Sequence, residues 1–505
     1  MECTIAIECD DTIGRINPEL HGHFLEHLGT ATYGGLWVGR DSHIPHIDGL
    51  RRDAVEYLRD LAVPVLRWPG GCFADSYHWR NGVGPSASRP ATVNHSWGGA
   101  TEDNAFGTHE FMRLCQLIGA QPYLAGNLGS GTPAELQDWV EYCNYPAGSS
   151  LADLRAANGH REPFRVRYWG IGNESWACGG HLTPGEYCGL YARFASFVPS
   201  CGDTTPYLIA VGPNGNDTAW TERFFQAFRS SRSYLPPLNA FAMHYYAWGT
   251  RKATGYDPAA VRKQLASFDD MERAIAVQRA YLDRHERLLG CGHIDIIVDE
   301  WGTWDLSDLH EEDLRGRFWQ QNTIKDGVAA ALGLNVFHRN ADKLAMCNLA
   351  QVINVLQASL LTFNNVCVRT PTYYAMHMMR PHRDGTAVRV STPYVPSQEL
   401  SVSASIRNDV LAVTMVNPDP EDEKRVTCHV NVSSPLQVHA VLLTHGDPNA
   451  CNSPENPECT VPLAHPVVLE ERTLRLTLPA NAVLQASITL PQSTHYDKSL
   501  EGQRR

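Results

Sequence analysis

VRYWGIGNES, residues 166–175, is an apolar run that ends in an amide and a carboxylate. A continuous run of this kind, with no polar alternation, suits a strand buried on both faces of a parallel sheet. Seven further runs share its texture: PELHGHFLEH (18–27), VPVLRWPGG (63–71), QPYLAGNLG (121–129), YLIAVGPNG (207–215), LNAFAMHYY (238–246), IDIIVDEWG (294–302) and KLAMCNLAQV (343–352). Between them lie stretches such as DGLRRDAVEYLRDL (48–61) and NAFGTHEFMRLCQLIG (104–119), with apolar residues at helical spacing. Eight strand–helix units predict an α/β fold, a (β/α)8 TIM barrel over residues 16–382.

Beyond residue 382 the texture changes. LSVSASIR, VLAVTMVN, RVTCHVNV, VHAVLLT and LRLTLPANAVLQASITL alternate apolar and polar residues between Pro, Gly, Asn and Asp. They predict a C-terminal antiparallel β-sandwich of jelly-roll type over 383–495. The N-terminal CTIAIECDD also reads as a strand, and residues 1–15 are expected to join that sandwich. Residues 496–505 read as a tail.

The chain of 505 residues carries a formal charge of −13 and no long basic run, which argues against nucleic acid and anionic membranes as partners. It has no apolar stretch long enough to span a membrane, and MECTIAIECDD lacks the basic-then-apolar pattern of a signal peptide. The fourteen cysteines include no Cys-x-x-Cys pair. A reduced, cytoplasmic protein is the expectation, with Cys451 and Cys459 able to pair in an oxidising compartment.

In a barrel, function collects where the strands end. The first strand ends in HGHFLEH, and His21 and His23, two apart on a strand, would face the same way. A metal-dependent hydrolase would add further His from strands five and six, an Asp from strand eight and often a Lys from strand four. Only His244, on strand six, is present. No metal is expected, and a metal-dependent hydrolase would lose activity to a chelator.

Two carboxylates are better placed. Glu174 and Glu300 end strands four and seven on one face of the barrel, each after a buried-looking run, where an acid without a task is costly. Glycoside hydrolysis needs such a pair, one carboxyl protonated toward the leaving oxygen and the other ionised. Asn173 could donate to a sugar hydroxyl beside the reacting carbon, Tyr246 could orient Glu300, and His244 could assist Glu174.

Together HGHFLEHLGTATYGGLWVG, LRWPGGCFADSYHWRNGVGP, YWGIGNESWACGG, MHYY, VDEWGTW and NLAQVINVLQ, in this order, resemble the α-L-arabinofuranosidases of glycoside hydrolase family 51. The resemblance implies a barrel with a jelly roll, and exo-acting, retaining double displacement without a cofactor. It implies release of terminal non-reducing α-L-arabinofuranosyl residues from arabinoxylan, arabinan or arabino-oligosaccharides. By motif, Glu174 is expected as the acid/base and Glu300 as the nucleophile, with carboxyl groups roughly 5 to 5.5 Å apart. Glu26, Asn173, Tyr246 and Gln351 are expected to bind the sugar hydroxyls, and Trp97 and Trp304 to wall the site. His244 matches the family's strand-six histidine. Cys72 stands where some members carry Asn, so its contact would be a weak thiol or backbone one. The family also implies a homohexamer. Two alternatives stay open: an endo-acting glucanase or xylanase of the same family, and a non-catalytic carbohydrate-binding protein.

Overall fold

The computed structural model describes residues 1–230, 234–307, 316–392, 398–432 and 437–491. The tail expected at 496–505 lies outside them. Strand β1 (Glu2–Arg15) is followed by the eight barrel strands: β2 (Gly22–Phe24), β3 (Val65–Trp68), β4 (Gln121–Gly126), β5 (Tyr168–Ile171), β6 (Tyr207–Asn214), β7 (Ala240–Lys252), β8 (Asp295–Leu306) and β9 (Leu344–Ala350). All neighbours in this closed barrel run parallel, and β9 pairs with β2 to close it. Each of the eight apolar runs supplies one strand.

Three strands depart from the expected lengths. β2 is only three residues long, because Pro18–His21 forms a tight 3-10 turn. Asn17 caps that turn by accepting a hydrogen bond from the Glu19 N–H at 3.2 Å, and Pro18 sits at its first position. His21 is therefore not on a strand, and it does not share a face with His23 in the expected way. Their Nε2 atoms lie 3.0 Å from His338 Nε2 and 2.9 Å from Ser359 Oγ respectively. β7 and β8, conversely, run well past the barrel, paired as far as Lys252 and Leu306.

The second unit is one ten-stranded sheet that rolls over to enclose its own core. Its other strands include β10 (Thr386–Ser391), β11 (Ser401–Arg407), β12 (Val410–Asn417), β13 (Lys424–Val430), β14 (Gln437–Thr444) and, later, β15 (Thr473–Leu478) and β16 (Ala482–Thr489). β1 lies between β10, which it meets antiparallel, and β13, which it meets parallel. The β1–β13 pairing is thus a departure from a wholly antiparallel sheet. Cys3, Ile5, Ile7 and Cys9 alternate into the core with Val426, Cys428 and Leu484. The helix Ile324–Arg339 is buried along almost its whole length between the two units. From it, Asn335 donates to Ser401 Oγ at 3.2 Å, and His338 Nδ1 lies 3.1 Å from Ser403 Oγ. No helix among the described residues is long and apolar enough to cross a membrane.

Candidate active site

The site is built on a buried cation. Arg67, on β3, points into the barrel mouth and is fully buried. Its Nη1 donates to Glu300 Oε1 at 2.7 Å, its Nη2 donates to Asn173 Oδ1 at 2.6 Å, and its Nε lies 3.3 Å from Asp299 Oδ2. One guanidinium thereby joins strand ends separated by more than a hundred residues. A planar fork can do this where an ammonium cannot. Asp299 is completed by Tyr123, which donates at 2.8 Å, and by Asn348 Nδ2 at 3.1 Å.

Glu300 accepts a second hydrogen bond from the Tyr246 hydroxyl, at 2.7 Å to Oε2. Burial opposes its ionisation. The charges of His244 and Arg67, with hydrogen bonds from Tyr246 and Arg67, nevertheless hold the carboxyl below its usual value. His244 Nδ1 lies 2.9 Å from Glu174 Oε1 and 3.5 Å from Glu300 Oε2. Burial disfavours the imidazolium, but the Glu300 and Glu174 charges raise its pKa overall. An oxygen of each glutamate and the His244 ring nitrogen lie within 4.8 Å of one another.

Glu174 follows β5 on a sharp bend. Gly172 has φ of +88° and Glu174 itself +37°, in the region that non-glycine residues avoid. The bend is held from outside. Buried Asp75 accepts from the Leu128 and Gly129 N–H groups at 2.9 Å each, and from the Asn173 N–H at 3.1 Å. Burial pushes the Asp75 carboxyl up to about 7 despite those three donors.

Glu26 sits on the opposite wall. Its Oε1 accepts from the Phe73 N–H at 3.0 Å and from Trp97 Nε1 at 2.8 Å. Gln351 Oε1 accepts from the Glu26 N–H at 3.0 Å, and Gln351 Nε2 donates to Glu26 Oε2 at 3.4 Å. Burial, and then the Glu300 charge, push the Glu26 carboxyl up to about 8. The glycine pair before Cys72 makes room for it: a Cβ on Gly71 would stand 2.6 Å from Glu26 Oε2. His27, undecided from sequence, stacks on Phe73 at 4.6 Å between centroids, with Nδ1 2.9 Å from Glu102 Oε2. It braces the loop that holds Glu26.

These walls line one pocket at the barrel mouth. Nine of the ten residues singled out in the sequence line it: Glu26, Cys72, Trp97, Asn173, Glu174, Tyr246, Glu300, Trp304 and Gln351. His244, the tenth, lies behind the two glutamates. The expected thiol at Cys72 does not exist, because Cys72 is joined to Cys178 in a disulfide. The expectation of uniformly reduced cysteines fails at this pair, and Cys451 and Cys459 are not bridged to each other. Cys178 Sγ lies 3.6 Å from Glu174 Oε2 and, being half of a disulfide, has no proton to donate there. Arg67, Asp75, Cys178 and Phe318 were not anticipated. Phe318 packs edge-on between Trp97 and Trp304, at 5.6 and 5.1 Å. A charge inside the run VPVLRWPGG was the one available signal for Arg67.

Two close carboxylates, one held ionised by a buried cation and a tyrosine, at the mouth of a (β/α)8 barrel, are the equipment of a glycoside hydrolase. Residues 57–273 match the family model of the α-L-arabinofuranosidase 1 domain, and residues 299–482 match that of the α-L-arabinofuranosidase C-terminal domain. An intracellular exo-α-L-arabinofuranosidase of Bacteroides ovatus is 36% identical over 498 residues, 95% of this chain and 94% of that protein. The crystal structure of the GH51 arabinofuranosidase from Xanthomonas axonopodis pv. citri superposes with a TM-score of 0.90 at 35% identity, covering 97% of this chain and all of that one. The arabinose complex of the Thermotoga maritima α-L-arabinofuranosidase gives 0.83 at 27% identity, with 97% and 100% covered. The chain belongs to the α-L-arabinofuranosidases of glycoside hydrolase family 51 and is a glycoside hydrolase with arabinofuranosidase activity.

Proposed function

We propose that the enzyme removes terminal non-reducing α-L-arabinofuranosyl residues by retaining double displacement, with Glu300 as nucleophile and Glu174 as acid/base. The observation that carries this is the unequal partnering of two glutamates whose oxygens approach within 4.8 Å. An approach this close supports retention, in which the two carboxyl groups stand roughly 5–5.5 Å apart. Glu300, fixed by Arg67 and Tyr246, attacks the anomeric carbon while Glu174 gives its proton to the departing oxygen. A covalent arabinosyl-enzyme forms. Glu174 then takes a proton from water, which releases arabinose with its configuration kept.

Glu26, Asn173, Tyr246 and Gln351 serve as ligands of the furanose hydroxyls in this reading, and Trp97 and Trp304 as walls. Glu26, protonated near neutrality, can both donate to and accept from a hydroxyl. The small cavity roofed by Trp97 suits a single sugar and exo action. Arabinoxylan, arabinan side chains and arabino-oligosaccharides are the substrate candidates. A cytoplasmic site, as for the relative named intracellular, would favour the oligosaccharides. A homohexamer is part of the same proposal, checked by light scattering.

The test is the first-formed anomer of arabinose, followed by proton NMR during hydrolysis of 4-nitrophenyl α-L-arabinofuranoside. Retention supports the mechanism, and inversion overturns it. Glu300→Ala should abolish turnover, and survival of activity would remove Glu300 from its role.

A further inference from the structure

The two carboxylates of the site are mounted differently. Glu300 lies within β8, where the ladder to β7 fixes its backbone. Glu174 stands beyond the end of β5, at a φ of +37° that no ladder imposes. Its carbonyl accepts from the Ala177 N–H at 2.7 Å and from the Gly179 N–H at 3.1 Å, so the chain curls into a tight turn at this residue. A side chain carried on such a turn keeps its place when neighbouring groups hold the turn.

The 3-10 turn Cys72–Ser76, after β3, holds it at two points. Cys72 is bonded to Cys178, and Asp75 Oδ2 accepts from the N–H of Asn173, the residue directly before Glu174. Asp75 Oδ1 accepts from Leu128 and Gly129, in the loop after β4, and the Asp75 carbonyl accepts from the Ser130 N–H at 3.0 Å. One residue thereby ties together the exits of three successive barrel strands. The fit is close: a Cβ on Gly179 would stand 2.8 Å from Asp75 Oδ2 and 1.9 Å from the Asn173 carbonyl oxygen. Asp75 is 6% exposed, and its carboxylate is met by backbone N–H groups rather than by a cation. Burying a carboxylate on these terms is costly, and what it steadies is the backbone of the acid/base.

We propose that Asp75 is the positioning residue of the acid/base. Its carboxylate, acting through the Asn173 N–H, sets the direction from which Glu174 delivers a proton to the departing oxygen. Asp75 does not itself line the pocket. The inference rests on the assignment of Glu174 as acid/base. In the first step the bond to the leaving oxygen breaks as the bond from Glu300 to the anomeric carbon forms, and the Glu174 proton goes to that oxygen. An acidic phenol departs without this proton, whereas a basic one needs it. Misplacing Glu174 therefore costs more as the leaving group becomes more basic. Loss of folded enzyme scales every substrate alike.

The test is kcat/KM on aryl α-L-arabinofuranosides, from 2,4-dinitrophenyl to phenyl, plotted against the pKa of the phenol. Asp75→Asn turns one accepting oxygen into an amino group that meets an N–H donor. It should lose about tenfold more on the phenyl than on the dinitrophenyl substrate, a part of the roughly 10²–10⁴-fold that a general acid contributes. Gly129→Ala displaces the carboxylate without deleting it, since the added Cβ would stand 2.9 Å from Asp75 Cβ. It should steepen the plot as well, and it carries the test if the amide variant does not fold. Equal losses across the series, in whichever variant folds, would overturn the proposal. Glu174→Ala, run beside them, should give the steepest plot, and an unchanged slope there would instead remove the acid/base assignment on which the inference stands.

Discussion

Arg67→Met would test the architecture of the site most directly. The variant keeps length and apolar bulk and removes the charge. Three partners lose a donor or counter-ion: Glu300, Asn173 and Asp299. Glu300 and Asp299, both buried, would keep Tyr246, His244, Tyr123 and Asn348 beside them but lose the cation they share. Breaking one side of a buried ion pair costs about 3–5 kcal/mol, a large part of the 5–15 kcal/mol typical of a domain. The pH dependence follows in sign. With its pKa depressed, Glu300 contributes stability above its unfolded pKa that is lost as pH falls through the folded value. Removing Arg67 raises that folded value, because an opposite charge at this range is worth about 1–3 pKa units. The acid limb of kcat/KM should move to higher pH by about one unit or more, with a lowered melting temperature at pH 7. Arg67→Lys keeps the charge but not the fork, and should fold while losing the Asn173 or the Glu300 contact. The assay is a pH–rate profile on 4-nitrophenyl α-L-arabinofuranoside beside calorimetry. An acid limb that stays in place in a folded Arg67→Met enzyme refutes the argument that this cation keeps Glu300 ionised.

Three further outcomes are expected. Glu26 has a folded pKa raised to about 8, so its contribution to stability is complete below its unfolded pKa and is lost as pH rises toward 8. Glu26→Gln should therefore lose less stability than the wild type between pH 5 and pH 8, while kcat/KM falls by about 10- to 100-fold for the missing hydroxyl contact; melting curves at both pH values and steady-state rates measure this. Gly71→Ala would push a methyl group into Glu26 Oε2, and about 1–3 kcal/mol of stability and at least tenfold in kcat/KM should go with it; an unimpaired alanine enzyme would show that the carboxylate can swing aside. Reduction of Cys72–Cys178 by a small dithiol, or Cys178→Ser, should lower both the melting temperature and kcat/KM, since the bridge closes a separation of 106 residues beside Glu174; thiol titration must show two new thiols on reduction and one in the variant, and unchanged kinetics after that would make the bridge a bystander.

Much of the barrel was legible because a strand covered on both faces leaves a continuous apolar run, and eight such runs stand between helical stretches. Where a strand leaves the barrel, that signal ends. AWGTRK lies beyond the apolar run that ends at Tyr246, yet it continues β7 because β8 continues beside it, a fact of pairing and not of propensity. In HGHFLEH the proline and capping asparagine before it turned His21 off the strand. The residues read at strand ends gather around one cavity because a barrel brings all eight ends to one face. Their supports were less legible. The partners of Arg67 lie 106 and 233 positions away, and those of Asp75 lie 53, 54 and 98 away. Nothing local in the chain announces such distances, and the disulfide was hidden for the same reason.

The placement of β1 bears on how the chain can be made. Its partners, near residues 386–391 and 424–430, leave the ribosome only after every barrel strand has appeared. Until then a strand with Cys3, Ile5, Ile7 and Cys9 on one side has no core to enter, and its edges are open to other chains. A gene cut after the barrel would leave that strand permanently orphaned. Anyone wishing to express the barrel alone must trim both ends of the reading frame, because the two ends of the chain meet in one sheet.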